Sequence, residues 1–109
     1  MTKDMIRWEL VDGIVVLTMD DPDGGANTIN ANYLHSMGKT LDRLEAEKDS
    51  YAGVILTSAK KTFYAGADLS MIIQATPERA RELQELIDTF KSQLRRLETL
   101  GKPVVAAIN

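Results

Sequence analysis

Apolar Ile6, Trp8 and Leu10 alternate with Arg7 and Glu9 near the start of the chain, the two-residue period of a half-buried strand. Asp12-Gly13 follows, and Asp-Gly between two apolar runs predicts a two-residue hairpin turn, because Gly tolerates positive φ. Ile14 to Met19 is then the returning strand. Residues 20–27 hold Pro22, Gly24 and Gly25 and read as a loop. Beyond them the period lengthens. Leu34, Met37, Leu41 and Leu44 recur at three- and four-residue steps, which predicts a helix from about Asn30 with one apolar stripe. The short apolar run Gly53–Ser58 predicts a strand buried on both faces of a parallel sheet.

A second loop, Ala59 to Asp68, carries Lys60, Lys61 and Gly66. Thr76-Pro77-Glu78 then has the residues of a helix start: a capping hydroxyl, a proline suited to the first turn, and an acid at the positive end of the dipole. Leu83, Leu86, Ile87, Phe90, Leu94, Leu97 and Leu100 predict a wide apolar face on this helix, and Gly101 and Pro103 end it. Val104 to Ile108 reads as another buried strand. The order strand-strand-helix-strand-helix-strand makes the chain mixed α/β. Residues 1–109 are expected to be a piece of a longer protein, because a buried strand normally leads into an element that covers it, with a complete small α/β domain ending in a core strand as the alternative. An uncovered last strand would also favour pairing between copies, hence a homo-oligomer.

Composition narrows the function classes. The 109 residues suit one domain, and 44% hydrophobic with 27% charged residues is ordinary for a globular protein rather than a disordered one. The net charge is −3 with Lys and Arg dispersed, so no nucleic-acid footprint is expected. No apolar run is long enough for a membrane span, and Met1 to Met5 does not resemble a secretory signal. The chain has no Cys and one His, which argues against disulfides, thiol chemistry and a metal site, and fits a cytoplasmic protein. His35 lies beside the first helix's stripe with no partner at a catalytic spacing and reads as a surface or half-buried side chain. Asp20, Asp21 and Asp23 lack the spacing of a calcium loop and read as a solvated turn; Gly24-Gly25 matches no phosphate-binding pattern. Arg79, Arg81, Arg95 and Arg96 read as a solvated helix face.

The sharpest candidate is Phe63-Tyr64-Ala65-Gly66-Ala67-Asp68-Leu69, small residues placed between a strand and a helical stretch. Gly66 lets a ligand approach the backbone, and amides in such a turn can face a developing oxyanion without a charged side chain. A plain tight turn capped by Asp68 remains the alternative on these residues alone.

Ala65-Gly66-Ala67-Asp68-Leu69 after Lys61-Thr62-Phe63 resembles the segment of the crotonase (enoyl-CoA hydratase) family that supplies an oxyanion-hole amide. The N-terminal hairpin, Ala26-Asn27, and Lys102 through Asn109 resemble further pieces of that family in the same order, so the likeness spans the whole chain. It implies the opening turns of the crotonase ββα spiral, incomplete, and an acyl-CoA substrate. It assigns the oxyanion amide to Ala67 and CoA contacts to the backbone of Ala26, Ala65 and Gly66. Asp68 would stand beside that site, orienting the loop rather than acting as a base. Lys60 or Lys61 would lie near CoA phosphates, with a solvated lysine pair as the alternative. The implied reaction is syn addition of water to a trans-2-enoyl-CoA. Its two acid/base glutamates and the second oxyanion donor fall beyond Asn109. Met19 through Thr28 is most similar to multifunctional β-oxidation subunits, which implies a following NAD-dependent 3-hydroxyacyl-CoA dehydrogenase and a thiolase partner for the parent, with no cofactor in this chain. Isomerase and thioester-hydrolase siblings share the oxyanion hole. An RNA-binding relative would need a basic helix face, which Glu78, Glu82, Glu85 and Asp88 dilute.

Overall fold

The computed structural model describes residues 4–66 and 76–108. Strands β1 (Ile6–Val11) and β2 (Ile14–Met19) lead to helix α1 (Ala31–Ala46), a short 3-10 turn (Lys48–Ser50) and β3 (Gly53–Ser58). Helix α2 (Ala80–Glu98) and β4 (Val104–Ala106) follow. The sheet order is β1-β2-β3-β4, with β1 antiparallel to β2 and the other two pairings parallel.

The hairpin forms as its turn residues dictate. Asp12 and Gly13 both have positive φ, 49° and 81°, and the register closes directly from Val11 to Ile14. That is the primed turn whose twist matches the strands. Helix α1 starts where Asn30 accepts the Tyr33 amide at 2.8 Å, which satisfies one of the helix's unpaired first-turn donors.

One face of the sheet carries the core. Val15, Leu17 and Met19 of β2 pair with Val54, Leu56 and Ser58 of β3, and all of these positions point to the same side. Met37, Leu41 and Leu44 of α1 close over that side and are fully buried. Helix α2 lies against α1, with Gln93 donating to the Leu34 carbonyl at 2.8 Å and Arg96 bonding both Asp42 and Glu45. Arg96 thus ties two helices together, whereas the sequence suggested a purely solvated arginine.

Burial departs from expectation on the far side of the sheet and along α2. In β3 only Gly53 and Val54 are buried; Gly53 is covered by Pro103 and Ile14, and Ile55 and Thr57 point away from the face that α1 closes over. Helix α2 buries Gln93 and Leu97, with Leu100 just beyond its end, but leaves Ile87 and Leu94 exposed. Strand β4 is exposed rather than buried, with Val105 58% accessible, and Ile108 beyond its end is 76% accessible. The second helix also begins later than its start signal. Thr76 accepts the Arg79 amide through its hydroxyl at 3.3 Å and its carbonyl at 2.9 Å, so residues 77–79 form a turn ahead of Ala80. Among the described residues no helix is long and apolar enough to cross a membrane.

Candidate functional site

Parallel β2 and β3 end side by side at Met19 and Ser58, so the loops that leave them emerge together. Asn27 joins these loops. It is fully buried, and its amide group donates to the Ser58 hydroxyl at 2.8 Å, the Met19 carbonyl at 3.2 Å and the Phe63 carbonyl at 3.4 Å. Its side-chain oxygen accepts the Asp21 amide at 3.0 Å. Every polar atom of this buried group is therefore used, as burial demands.

Backbone bonds continue the junction. Ala65 donates to the Asn27 carbonyl and Ile29 donates to the Gly66 carbonyl, both at 2.8 Å. Gly66 has φ +84°, a conformation that costs an L side chain about 1 to 2 kcal/mol. The structure thus brings Asn27 and Ile29 against Ala65 and Gly66, segments about forty residues apart in the chain. Ala65 and Gly66 are exposed and Ala26 is half-buried. Ala67 and Asp68 lie outside the described residues.

Because a Cβ built on Gly66 meets nothing within 4 Å, its requirement for glycine is one of backbone angle alone. Gly66→Ala is expected to lower stability by about 1 to 2 kcal/mol in urea titration. Gly25 is equally uncrowded but lacks positive φ, so Gly25→Ala should stay within about 0.5 kcal/mol of wild type. Equal effects at both positions would contradict this assignment.

Asp20 and Asp21 are structural rather than part of a solvated turn, while Asp23 is exposed. Asp21 is buried; its carboxylate accepts the Asp23 amide at 2.9 Å and the Asn30 side chain at 3.4 Å, linking the junction to the cap of α1. Asp20 pairs with Lys60 and Arg7, each at 2.8 Å. The hydrogen bond from Lys60, with its charge and that of Arg7, holds the Asp20 carboxyl below its usual range. Lys60 is only 17% accessible at its side chain, so the solvated lysine pair is corrected: Lys60 is committed to Asp20, while Lys61 is exposed. His35 is exposed as well.

Beneath the loop, Tyr33 meets Tyr64 edge-on at 5.4 Å and Phe90 at 6.0 Å between ring centres. Burial pushes the Tyr33 phenol up to about 12 and that of Tyr64 further. Both are therefore neutral near pH 7. An unfolded tyrosine ionises near pH 10, so their contribution to stability is complete below that pH and is lost as the pH climbs towards 12. Urea midpoints should be flat in this respect up to about pH 9 and fall above pH 10, and Tyr33→Phe should shrink that alkaline fall. An undiminished fall in the variant would contradict the assignment.

Asn27 was the residue least visible beforehand. It stood in a recognised segment, but its partners at Ser58 and Phe63 are 31 and 36 residues away. Among the described residues there is no cluster of three or more His, Asp or Glu side chains that would hold a metal.

Comparison with known proteins adds to this geometry. A family described as enoyl-CoA hydratase/isomerase matches residues 9–109. The chain is 39% identical over 110 residues to the fatty acid oxidation complex subunit alpha of Shewanella loihica, covering 100% of this chain and 15% of that subunit. It is 38% identical over 99 residues to the same subunit from Idiomarina loihiensis, covering 90% of this chain and 14% of that one. An enoyl-CoA hydratase from Bacillus anthracis superposes with a TM-score of 0.83 at 25% identity, over 97% of this chain and 40% of its own. One from Bacillus halodurans gives 0.84 at 23% identity, over 97% and 42%. The chain therefore spans about 40% of the solved hydratases and a far smaller share of the α subunits.

Proposed function

The chain belongs to the enoyl-CoA hydratase/isomerase family, and from that footing we propose that it is the front part of a hydratase module acting on trans-2-enoyl-CoA, with the Ala67 amide as one donor to the thioester oxygen. Water attack on the β-carbon drives negative charge onto that oxygen, which becomes enolate-like. A fixed N–H aimed there contributes about 3 to 4 kcal/mol in comparable sites, because it acts in the transition state and needs no reorganisation.

One observation carries the reading: the Gly66 carbonyl is anchored to the Ile29 amide at 2.8 Å. In a planar trans peptide the N–H opposes the carbonyl. With that carbonyl anchored on the Asn27 side, this reading places the thioester on the opposite side of the segment. The positive φ of Gly66 supports the same orientation, and the exposure of Ala65 and Gly66 leaves room for CoA alongside. Ala26 and Lys61 flank the same backbone in this reading, with Asp68 orienting the loop.

The acid/base work is assigned to two glutamates beyond Asn109, together with the second oxyanion donor. The 109-residue chain alone is expected to hydrate crotonyl-CoA no faster than buffer, and the whole enzyme to hydrate it readily, followed by loss of the conjugated thioester absorbance. Turnover by the 109-residue chain would contradict this division of labour. The likeness to fatty acid oxidation α subunits favours hydration over isomerisation or thioester hydrolysis, and a following NAD-dependent dehydrogenase belongs to the same proposal.

A further inference from the structure

Strand β1 is an outer edge of the sheet, and no further strand lies beside it among the described residues. Its antiparallel register with β2 runs unbroken from Ile6–Met19 to Val11–Ile14. Inward and outward hydrogen bonding alternate along such an edge strand. Met5 accepts the Asp20 amide at 2.7 Å and the two-residue turn closes on Val11, so Arg7 and Glu9 also bond inward. The N–H and C=O groups of Ile6, Trp8 and Leu10 therefore point out of the sheet. The strand is six residues long, with neither a proline nor a bulge to block a neighbour. Edge strand β4, by contrast, has three residues.

We infer that β1 pairs with β1 of a second copy of this chain, antiparallel about a two-fold axis at Trp8, joining the two sheets into one. In that register Trp8 meets Trp8, Ile6 meets Leu10, and Arg7 meets Glu9. The Trp8 and Ile6–Leu10 pairs exchange the outward backbone hydrogen bonds. Arg7 and Glu9 fall at the closer, non-bonded positions, where the two-fold makes two opposite-charge pairs. Moving the axis by one residue would set Arg7 against Arg7 or Glu9 against Glu9, like charges directly opposed. Charge complementarity thus selects both the partner and its register. Arg7 bonds Asp20 through one nitrogen and stays 58% accessible at its side chain, so its guanidinium keeps donors for Glu9. On the other face, Leu10 is 53% accessible and would cover Ile6 of the second copy. That Ile6 lines a groove of about 280 Å³ between β1 and α1, which leaves room for it. The pairing is independent of the hydratase reading.

The test is sedimentation equilibrium of the 109-residue chain across the micromolar range, with emission from Trp8, its one tryptophan, as a second reading. Wild type should dimerise, and dilution should move Trp8 emission to longer wavelength. Arg7→Glu and Glu9→Arg each oppose like charges twice, and each should raise the dimer Kd at least about tenfold. Mixed together, the two variants should form a heterodimer. The double variant Arg7→Glu/Glu9→Arg should return to within about threefold of the wild-type Kd. Glu9→Arg leaves the Arg7–Asp20 bridge intact, so its effect is separate from folding. Leu10→Pro removes one outward N–H, spares the β1–β2 ladder and should give monomers with a near-native urea midpoint. A monomeric wild type, a dimer indifferent to the charge reversals, or a double variant as weak as the single ones would overturn the inference.

Discussion

Ala67→Pro is expected to lower kcat for crotonyl-CoA hydration by the whole enzyme about 100- to 1000-fold with little change in KM, the effect of deleting one oxyanion donor. Proline removes the N–H, and a loss confined to kcat falls on the transition state rather than on substrate binding. Ala67→Gly retains the N–H and is the matched control; it should keep activity within about tenfold of wild type. Equal losses in the two variants would show that the side chain or the loop conformation matters, not the amide.

Asn27→Ala should have the largest effect on stability, a loss of about 2 to 4 kcal/mol in urea unfolding. Four hydrogen bonds disappear, and the Asp21 amide is left buried without its acceptor. The Met19 carbonyl still accepts from Ala59, and the Ser58 hydroxyl still bonds Thr62 and Lys60, which is why the cost stays well below four independent penalties. The same substitution frees Phe63 from the junction, so hydration should fall with stability. A variant as stable as wild type would mean that water or a neighbour replaces the amide, and that Asn27 does not hold the loops together.

The parts of the fold legible in the sequence are those written at short range. Asp12-Gly13 encodes its own turn, Asn30 caps the helix three residues ahead, and Leu34, Met37, Leu41 and Leu44 repeat the helical period. What escaped is set by distant contacts. Asp21 and Asn27 look like polar loop residues until β2 and β3 bring Met19 and Ser58 together around them. Lys60 looks solvated until Asp20 arrives across the loop. The exposure of Val105, which pairs with Ile55 on the far side of the sheet, follows from which face the helices cover, and apolar spacing along one segment carries no record of that choice. The loop at Gly66 was legible through its small residues, but its attachment to Ile29 and Asn27 was not.

The most direct test of the central claim is an infrared difference spectrum of a trans-2-enoyl-CoA labelled with carbon-13 at the thioester carbonyl, bound to the whole enzyme. A carbonyl held by the Ala67 amide should absorb at lower frequency than in water, and Ala67→Pro should return much of that shift while Ala67→Gly preserves it. A bound carbonyl at the aqueous frequency, or a shift untouched in Ala67→Pro, would contradict the account.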